Sequence, residues 1–301
     1  MQGCGGSVVL VEPFGAGGGV DVVASALAPK LAEVWAVPVT VDNRPGLGAT
    51  AAPAFVAAAA ADGRTLLVNT SAHAYSAALA TALPYDPIAD FVAIASVTSQ
   101  PYVLVASARS GVRSLDALTR AAQARALRFI SAGVGTGTHL GAVELNLRLG
   151  ISATHLPARS TDAISATIAR LAAGEADYAM CPIPTAQPLL GDGSLIALGV
   201  SGAQRSQLLP DVPPLREVGA ANFDFPIWYG IWAPSATPAS RVEELNAGIG
   251  AALGAPELRT WLEEHGSQPL QMTQREFADF VIRERDRARA IARAAGVSPT
   301  P

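Results

Sequence analysis

The stretch that decides the fold is Ser7-Val8-Val9-Leu10-Val11-Glu12-Pro13-Phe14-Gly15-Ala16-Gly17-Gly18-Gly19-Val20-Asp21. A short β-branched run enters a glycine-rich turn. It leaves as a helix over about 20–35, where Val23, Leu27, Leu31 and Val34 recur near 3.6-residue spacing. Pro29 falls inside that helix and is expected to kink or delay it. Strand, glycine-rich loop and helix make one half of a βαβ unit, and the unit repeats outward from here. Val37 to Val41 reads as the next strand, Asn43-Arg44-Pro45-Gly46 as a turn and Ala49 to Ala61 as a helix. Asp62-Gly63 turns into a strand from Thr65 to Asn69, followed by the loop Thr70-Ser71-Ala72-His73 and another helix.

The alternation restarts near Pro101. Tyr102 to Ser107 reads as a strand, and Ser114 to Arg125 as a helix with Ser114 at its N-cap. Arg128 to Ser131 is a strand that runs into Ala132-Gly133-Val134-Gly135-Thr136-Gly137-Thr138-His139 and a helix ending at Leu149. Strands near 153–156, 176–181 and 195–200 complete a second sheet. The apolar run Phe225 to Pro234 precedes an amphipathic helix from Arg241 to Leu253. Alternation of this length predicts an α/β protein of two lobes, each a mainly parallel sheet flanked by helices. Extended passages near 100–105 and 225–233 read as crossings between lobes. Residues 1–101 with 229–301 then form a discontinuous lobe 1, and 102–228 form lobe 2.

Composition narrows the function classes. The chain has 301 residues, 50% hydrophobic and 15% charged, which supplies core for two lobes and excludes disorder. The longest uncharged stretches, Leu66 to Tyr85 and Phe91 to Ala108, are interrupted by polar residues and proline, unlike a spanning helix. Net charge is −4 and no basic run occurs, so a nucleic-acid partner is not expected. Two cysteines, Cys4 and Cys181, cannot build a metal cluster, and neither a metal nor a cofactor is expected. Met1 to Ser7 shows neither the basic nor the apolar region of a secretory signal. Gln2-Gly3-Cys4 reads as an accident of sequence rather than a lipidation stub.

Two loops carry the chemistry. Gly15 to Gly19 departs from the dinucleotide fingerprint, because Val20 stands where its last glycine would be, and no Gly-Lys-Ser/Thr follows. Two readings remain open: a tight βα turn, or backbone N–H groups at a helix N-terminus that favour an anion. Asp21 is expected to cap N–H groups there. The loop from Ser131 to His139 repeats the logic in the other half, with the Thr136 and Thr138 hydroxyls as further donors. Catalytic signatures are missing: there is no G-x-S-x-G, H-E-x-x-H or Cys-x-x-Cys. His73 and His139 are expected to hydrogen-bond the loops or a ligand rather than to act as an acid/base pair. His155 and His265 are expected to be structural or surface residues.

The chain resembles the Bug family, the solute receptors of tripartite tricarboxylate transporters. The resemblance is carried by Pro13 to Asp21, Asn43-Arg44-Pro45-Gly46, Asp62 to Leu67, Leu83-Pro84-Tyr85-Asp86-Pro87 and Ser131-Ala132-Gly133. It continues through Thr138-His139-Leu140, Arg205-Ser206, Leu209 to Pro213 and Trp228-Tyr229-Gly230. It implies a type II periplasmic-binding fold whose two lobes close by hinge motion over a carboxylate. It further implies ligand contacts from Phe14, Gly15, Ala16, Gly17 and Gly18, from Thr70, Ser71, Ala72 and His73, and from Ser131, Ala132, Gly133, Thr136, Thr138 and His139. Three departures bear on the ligand. Gly15-Ala16 replaces Pro-Pro, Met180-Cys181-Pro182 replaces Phe-Asp-Asn, and Ala158-Arg159-Ser160 replaces Tyr-Lys-Gly. Ala158, Arg159, Cys181 and Trp228 complete the expected ligand set.

The resemblance thus implies a monomeric, periplasmic receptor that performs no chemistry and delivers a small carboxylate to membrane subunits of a transporter. The departures favour an aromatic acid such as benzoate, nicotinate or terephthalate. An aliphatic C4–C6 di- or tricarboxylate is the alternative, as are a sensing module or an enzyme on the same fold.

Overall fold

The computed structural model describes residues 6–46, 49–158 and 164–298. The chain groups into two compact units. One takes Met1–Ser99 with Trp228–Arg287, and the other takes Gln100–Ile227 with Ala288–Thr300. The chain therefore passes from unit to unit inside two strands and once more near the C-terminus.

In the first unit, β1 (Val8–Glu12) lies between two parallel neighbours, β2 (Val39–Asn43) and β3 (Thr65–Thr70). Then β9 (Pro226–Pro234) pairs antiparallel with β3, placing Tyr229 opposite Thr70. The first part of β4 (Phe91–Ser107) follows β9, and β10 (Gln268–Pro269) joins β4 at Thr98 and Ser99. β1 and β3 are buried nearly throughout because the sheet is covered on both faces.

The helix after β1, α1 (Gly19–Trp35), buries Val20, Val23, Ala24, Leu27, Ala28 and Leu31. It runs from Gly19 through Pro29 to Trp35 without interruption, so the delayed start that the sequence offered as one option does not occur. Pro29 and Ser25, four residues before it, both lie on the exposed face. The carbonyl deprived of its hydrogen bond therefore faces water, where the loss is small.

The second unit repeats the pattern. Its central strand β5 (Leu127–Ser131) has parallel neighbours β6 (Ala153–Pro157) and β7 (Tyr178–Pro182). The second part of β4 pairs antiparallel with β7, placing Tyr102 opposite Pro182, and β8 (Leu195–Val200) pairs antiparallel with β4. The helix after β5 is α5 (Gly137–Leu149). The core between β4, β7 and two helices, α6 (Ile164–Ala172) and α7 (Ile183–Gly191), is built from Val103, Val105, Ile130, Ile168, Leu171 and Ala186.

β4 is a single strand from Phe91, whereas the sequence suggested a start at Tyr102. Pro101 invites that error, since a proline argues against a central strand. It is tolerated because it falls between ladders: β10 pairs up to Ser99, and β7 begins at Tyr102. Among the described residues no helix is long and apolar enough to cross a membrane.

Candidate functional site

At the carboxyl end of β1, Glu12 is fully buried. Its carboxylate accepts the Phe14 N–H at 2.8 Å and the Asn43 side-chain amide from the end of β2. Asn43 also donates to Asp21 Oδ1 at 2.8 Å, and Asp21 Oδ2 accepts the Gly17 N–H at 2.8 Å. Burial raises the Glu12 pKa against the lowering effect of its bonds to Asn43 and Phe14. The bond from Asn43, then that from Gly17, lowers that of Asp21. The capping role expected of Asp21 is thus directed at the loop, and the network holds the turn from both ends. Gly17 has φ 80°, a left-handed conformation that disfavours any side chain.

Gly15, Ala16 and Gly17 are exposed, with Phe14 and Gly18 half-buried. Gly18 is the N-cap of α1 and, as a glycine, provides no side-chain cap. Helix geometry therefore leaves the Gly19 and Val20 N–H groups without intrahelical acceptors, at the positive end of a 17-residue helix. Glu12 and Asn43, which shape this turn, were not singled out as loop-positioning residues from the sequence. The signal available was the Glu-Pro pair at the strand end and the Asn43 turn.

The β3 end departs from expectation. Thr70 closes β3, its hydroxyl accepting the Ala72 N–H at 3.1 Å, and the Ser71 N–H donates to the Trp228 carbonyl at 2.8 Å. Ala72 begins the helix α3 (Ala72–Leu79), so His73 is a helix residue rather than a loop residue. Its ring is sealed between Phe91 and Trp232, with centroids 4.9 and 4.6 Å away, and the Pro87 backbone beside it partly offsets the effect of burial on its pKa. Burial of the imidazole at 1% exposure corrects the expected contact of His73 with a ligand, while the expected contact with a loop is met by the Pro87 backbone. Trp228 is likewise fully buried: its indole N–H donates to Glu284 at 3.1 Å and its ring packs on Phe277 and Phe280. Its side chain belongs to the core of the first unit.

In the second unit Ser131 is the hub. Its hydroxyl accepts the Gly133 N–H at 3.1 Å and lies 2.7 Å from His155 Nε2. Gly133 and Gly135 have φ 133° and 81°, conformations open to glycine. Thr138 Oγ1 accepts the Ala132 N–H at 3.0 Å. Thr136 Oγ1 donates to the Gly133 carbonyl at 2.8 Å and, as N-cap of α5, accepts the His139 N–H at 3.3 Å. Both threonine hydroxyls, expected as extra donors outward, are thus engaged within the loop. His139 Nδ1 accepts the Gly135 N–H at 3.3 Å, and its ring lies 4.2 Å from that of His155. His155, expected to be structural, therefore packs against the site loop itself. Phe129 opposite it in register extends the stack, at 4.8 Å.

Ala158 is drawn to the same edge, its N–H donating to the Ser131 carbonyl at 2.9 Å. Cys181 is not: it is fully buried in the core with Ile168, Leu171 and Ala186, and burial pushes its thiol up to about 12. The alternation of β7 turns Cys181 into this core, so the expectation that it lines the ligand site is corrected. Arg159 lies outside the described residues. No cluster of three or more His, Cys, Asp or Glu residues among the described residues could hold a metal ion.

The imidazoles predict an acid response. Burial lowers His73 to about 4 and His155 to about 4; burial and the neighbouring His155 lower His139 to about 3. The unfolded chain binds protons at these sites near pH 6.5, where the folded chain does not. Stability is therefore full above about pH 6.5 and falls as pH drops toward 4. Melting temperature scanned from pH 7.5 to 4.5 should decline, and His73→Phe should flatten the decline. An unchanged slope in that variant would contradict the burial of a neutral imidazole.

Each unit therefore presents a central parallel strand, a glycine-rich loop and a helix N-terminus, at the edge where α/β sheets bind ligands. Residues 23–297 match the family model described as tripartite tricarboxylate transporter family receptor. The chain belongs to that family. Three solved structures of similar proteins extend the match. Rpa4515 of R. palustris with adipate is 28% identical, with 98% of each chain covered and a TM-score of 0.85. MatC of Rhodopseudomonas palustris with bound malate is 31% identical, covering 95% of this chain and 98% of MatC at a TM-score of 0.79. The periplasmic binding protein BugD is 26% identical, covering 97% of this chain and 98% of BugD at a TM-score of 0.81. The family suggested by the loop motifs is the one matched, and the fold of this receptor is the two-lobed α/β periplasmic-binding fold.

Proposed function

We propose that this chain is a periplasmic receptor that holds a small organic acid by its carboxylate at the glycine-rich loops. It then passes the acid, unchanged, to the membrane subunits of a tripartite tricarboxylate transporter. The observation that carries this reading is the repeated loop. Gly17 and Gly18 in one unit and Gly133 and Gly135 in the other shape a turn before a helix N-terminus, and the first-turn N–H groups of that helix suit a carboxylate oxygen. Phe14 to Gly18, Ser131 to Gly133 and Ala158 are the contacts expected on that reading. Thr136, Thr138 and His139 position the second loop. Enzymatic acid/base work by His73 is disfavoured because apolar rings enclose it.

Similar proteins hold adipate and malate. We therefore favour an aliphatic C4–C6 diacid. An aromatic acid is the second reading, favoured by Ala158 at the Ser131 edge, where a small side chain leaves room for a flat apolar body. The inward turn of Cys181 removes the other support for it.

Native mass spectrometry of the purified receptor, before and after incubation with adipate, malate and terephthalate, tests the receptor reading. One bound acid per chain, released with unchanged mass, is expected. Conversion of any acid to a new product would favour the enzyme reading.

A further inference from the structure

The two units share a detail beyond the loop. In each, an antiparallel strand flanks the parallel set and carries a tyrosine opposite the carboxyl end of its neighbour: Tyr229 on β9 opposite Thr70, and Tyr102 on β4 opposite Pro182. In each, the helix after the central strand begins with glycine, Gly19 in α1 and Gly137 in α5. The nearest atom to the place a Cβ would occupy is the tyrosine hydroxyl in both cases. It is Tyr229 Oη at 2.9 Å from that place on Gly19, and Tyr102 Oη against that place on Gly137.

Tyr229 is only 2% exposed, yet its hydroxyl makes no hydrogen bond among the described residues. A phenol held so deeply normally finds a partner. This one is aimed at the first turn of α1, where the Gly19 and Val20 N–H groups also lack intrahelical acceptors. The hydroxyl thus stands beside the positive end of a helix whose first N–H groups are also open.

We infer that Tyr229 is a ligand-binding residue. Its hydroxyl donates to a carboxylate oxygen of the bound acid at the N-terminus of α1, and Gly19 is glycine to leave that hydroxyl in place. Burial raises the phenol pKa, so the group stays protonated and acts as a donor toward an anion. The inference rests on the receptor reading. It adds a side-chain donor to a site that the backbone alone would supply.

Three variants test it by calorimetric titration with adipate, malate and benzoate: Tyr229→Phe, Gly19→Ala and the pair together. For an acid that binds the unsubstituted receptor, Tyr229→Phe should raise Kd about tenfold or more, as expected for a lost bond to a charged acceptor. Gly19→Ala should also weaken binding, because the added methyl displaces the hydroxyl. With phenylalanine at 229 the next ring atom lies 3.9 Å from that methyl, an ordinary contact. The double variant should then bind no more weakly than Tyr229→Phe, a non-additive result that a general loss of folding would not produce. Circular dichroism checks the fold, and if Tyr229→Phe does not fold, Gly19→Ala binding as tightly as the parent overturns the inference. Unchanged Kd in Tyr229→Phe overturns it while leaving the receptor reading intact. No binding of any of the three acids to the unsubstituted protein overturns both.

Discussion

Trp228→Ala should lower stability by about 3–5 kcal/mol, among the largest costs of any single substitution in this chain. The indole is fully buried, contacts Trp232, Phe277 and Phe280, and donates its only hydrogen to Glu284. Alanine would leave a cavity and remove a donor from a buried carboxylate, two costs that add. Urea denaturation measures the shift. Trp228→Phe, which keeps most of the packing, should bind carboxylates with Kd within about twofold of the parent. A large loss of affinity in that variant would restore the side chain to the ligand site, where the sequence first placed it.

The second large effect concerns affinity. Ser131→Asp should raise Kd for a carboxylate at least about tenfold, about 1.4 kcal/mol. The new carboxylate can keep the Gly133 N–H and lies beside His155, so the loop retains its internal partners. Its charge, however, stands at the loop where the ligand carboxylate is expected, and like charges oppose each other. Calorimetry on the folded variant reads this out. Unchanged binding would remove the second loop from the site.

Fold class was legible in the sequence because parallel strands and their helices follow the hydrophobic pattern. Val8 to Val11 and Val23 to Leu31 announce themselves by composition and period. The glycine loops were legible for the same local reason, since Gly17, Gly133 and Gly135 adopt left-handed backbone that few other residues tolerate. What escaped was tertiary. Whether His73 faces a ligand or a cage of Phe91 and Trp232 depends on residues far along the chain. The facing of Cys181 depends on the parity of β7, and one residue of register decides it. His155 looked inert as a lone histidine in a strand. Its role appears only when register sets it against Phe129 and brings its Nε2 to Ser131. Tyr229 was hidden inside an aromatic run that reads as core, and only the space above Gly19 separates its hydroxyl from its neighbours.

The central claim is that the glycine-rich loops make this chain a carboxylate receptor. Calorimetric titration of the purified receptor at pH 7.5 with adipate, malate, citrate, aspartate, benzoate, nicotinate and terephthalate tests it most directly. At least one acid should bind one per chain with Kd of about 1 μM or tighter, about −8 kcal/mol. An aliphatic diacid should outrank the aromatic acids. Folded protein that binds none of the seven acids more tightly than about 1 mM would contradict the account.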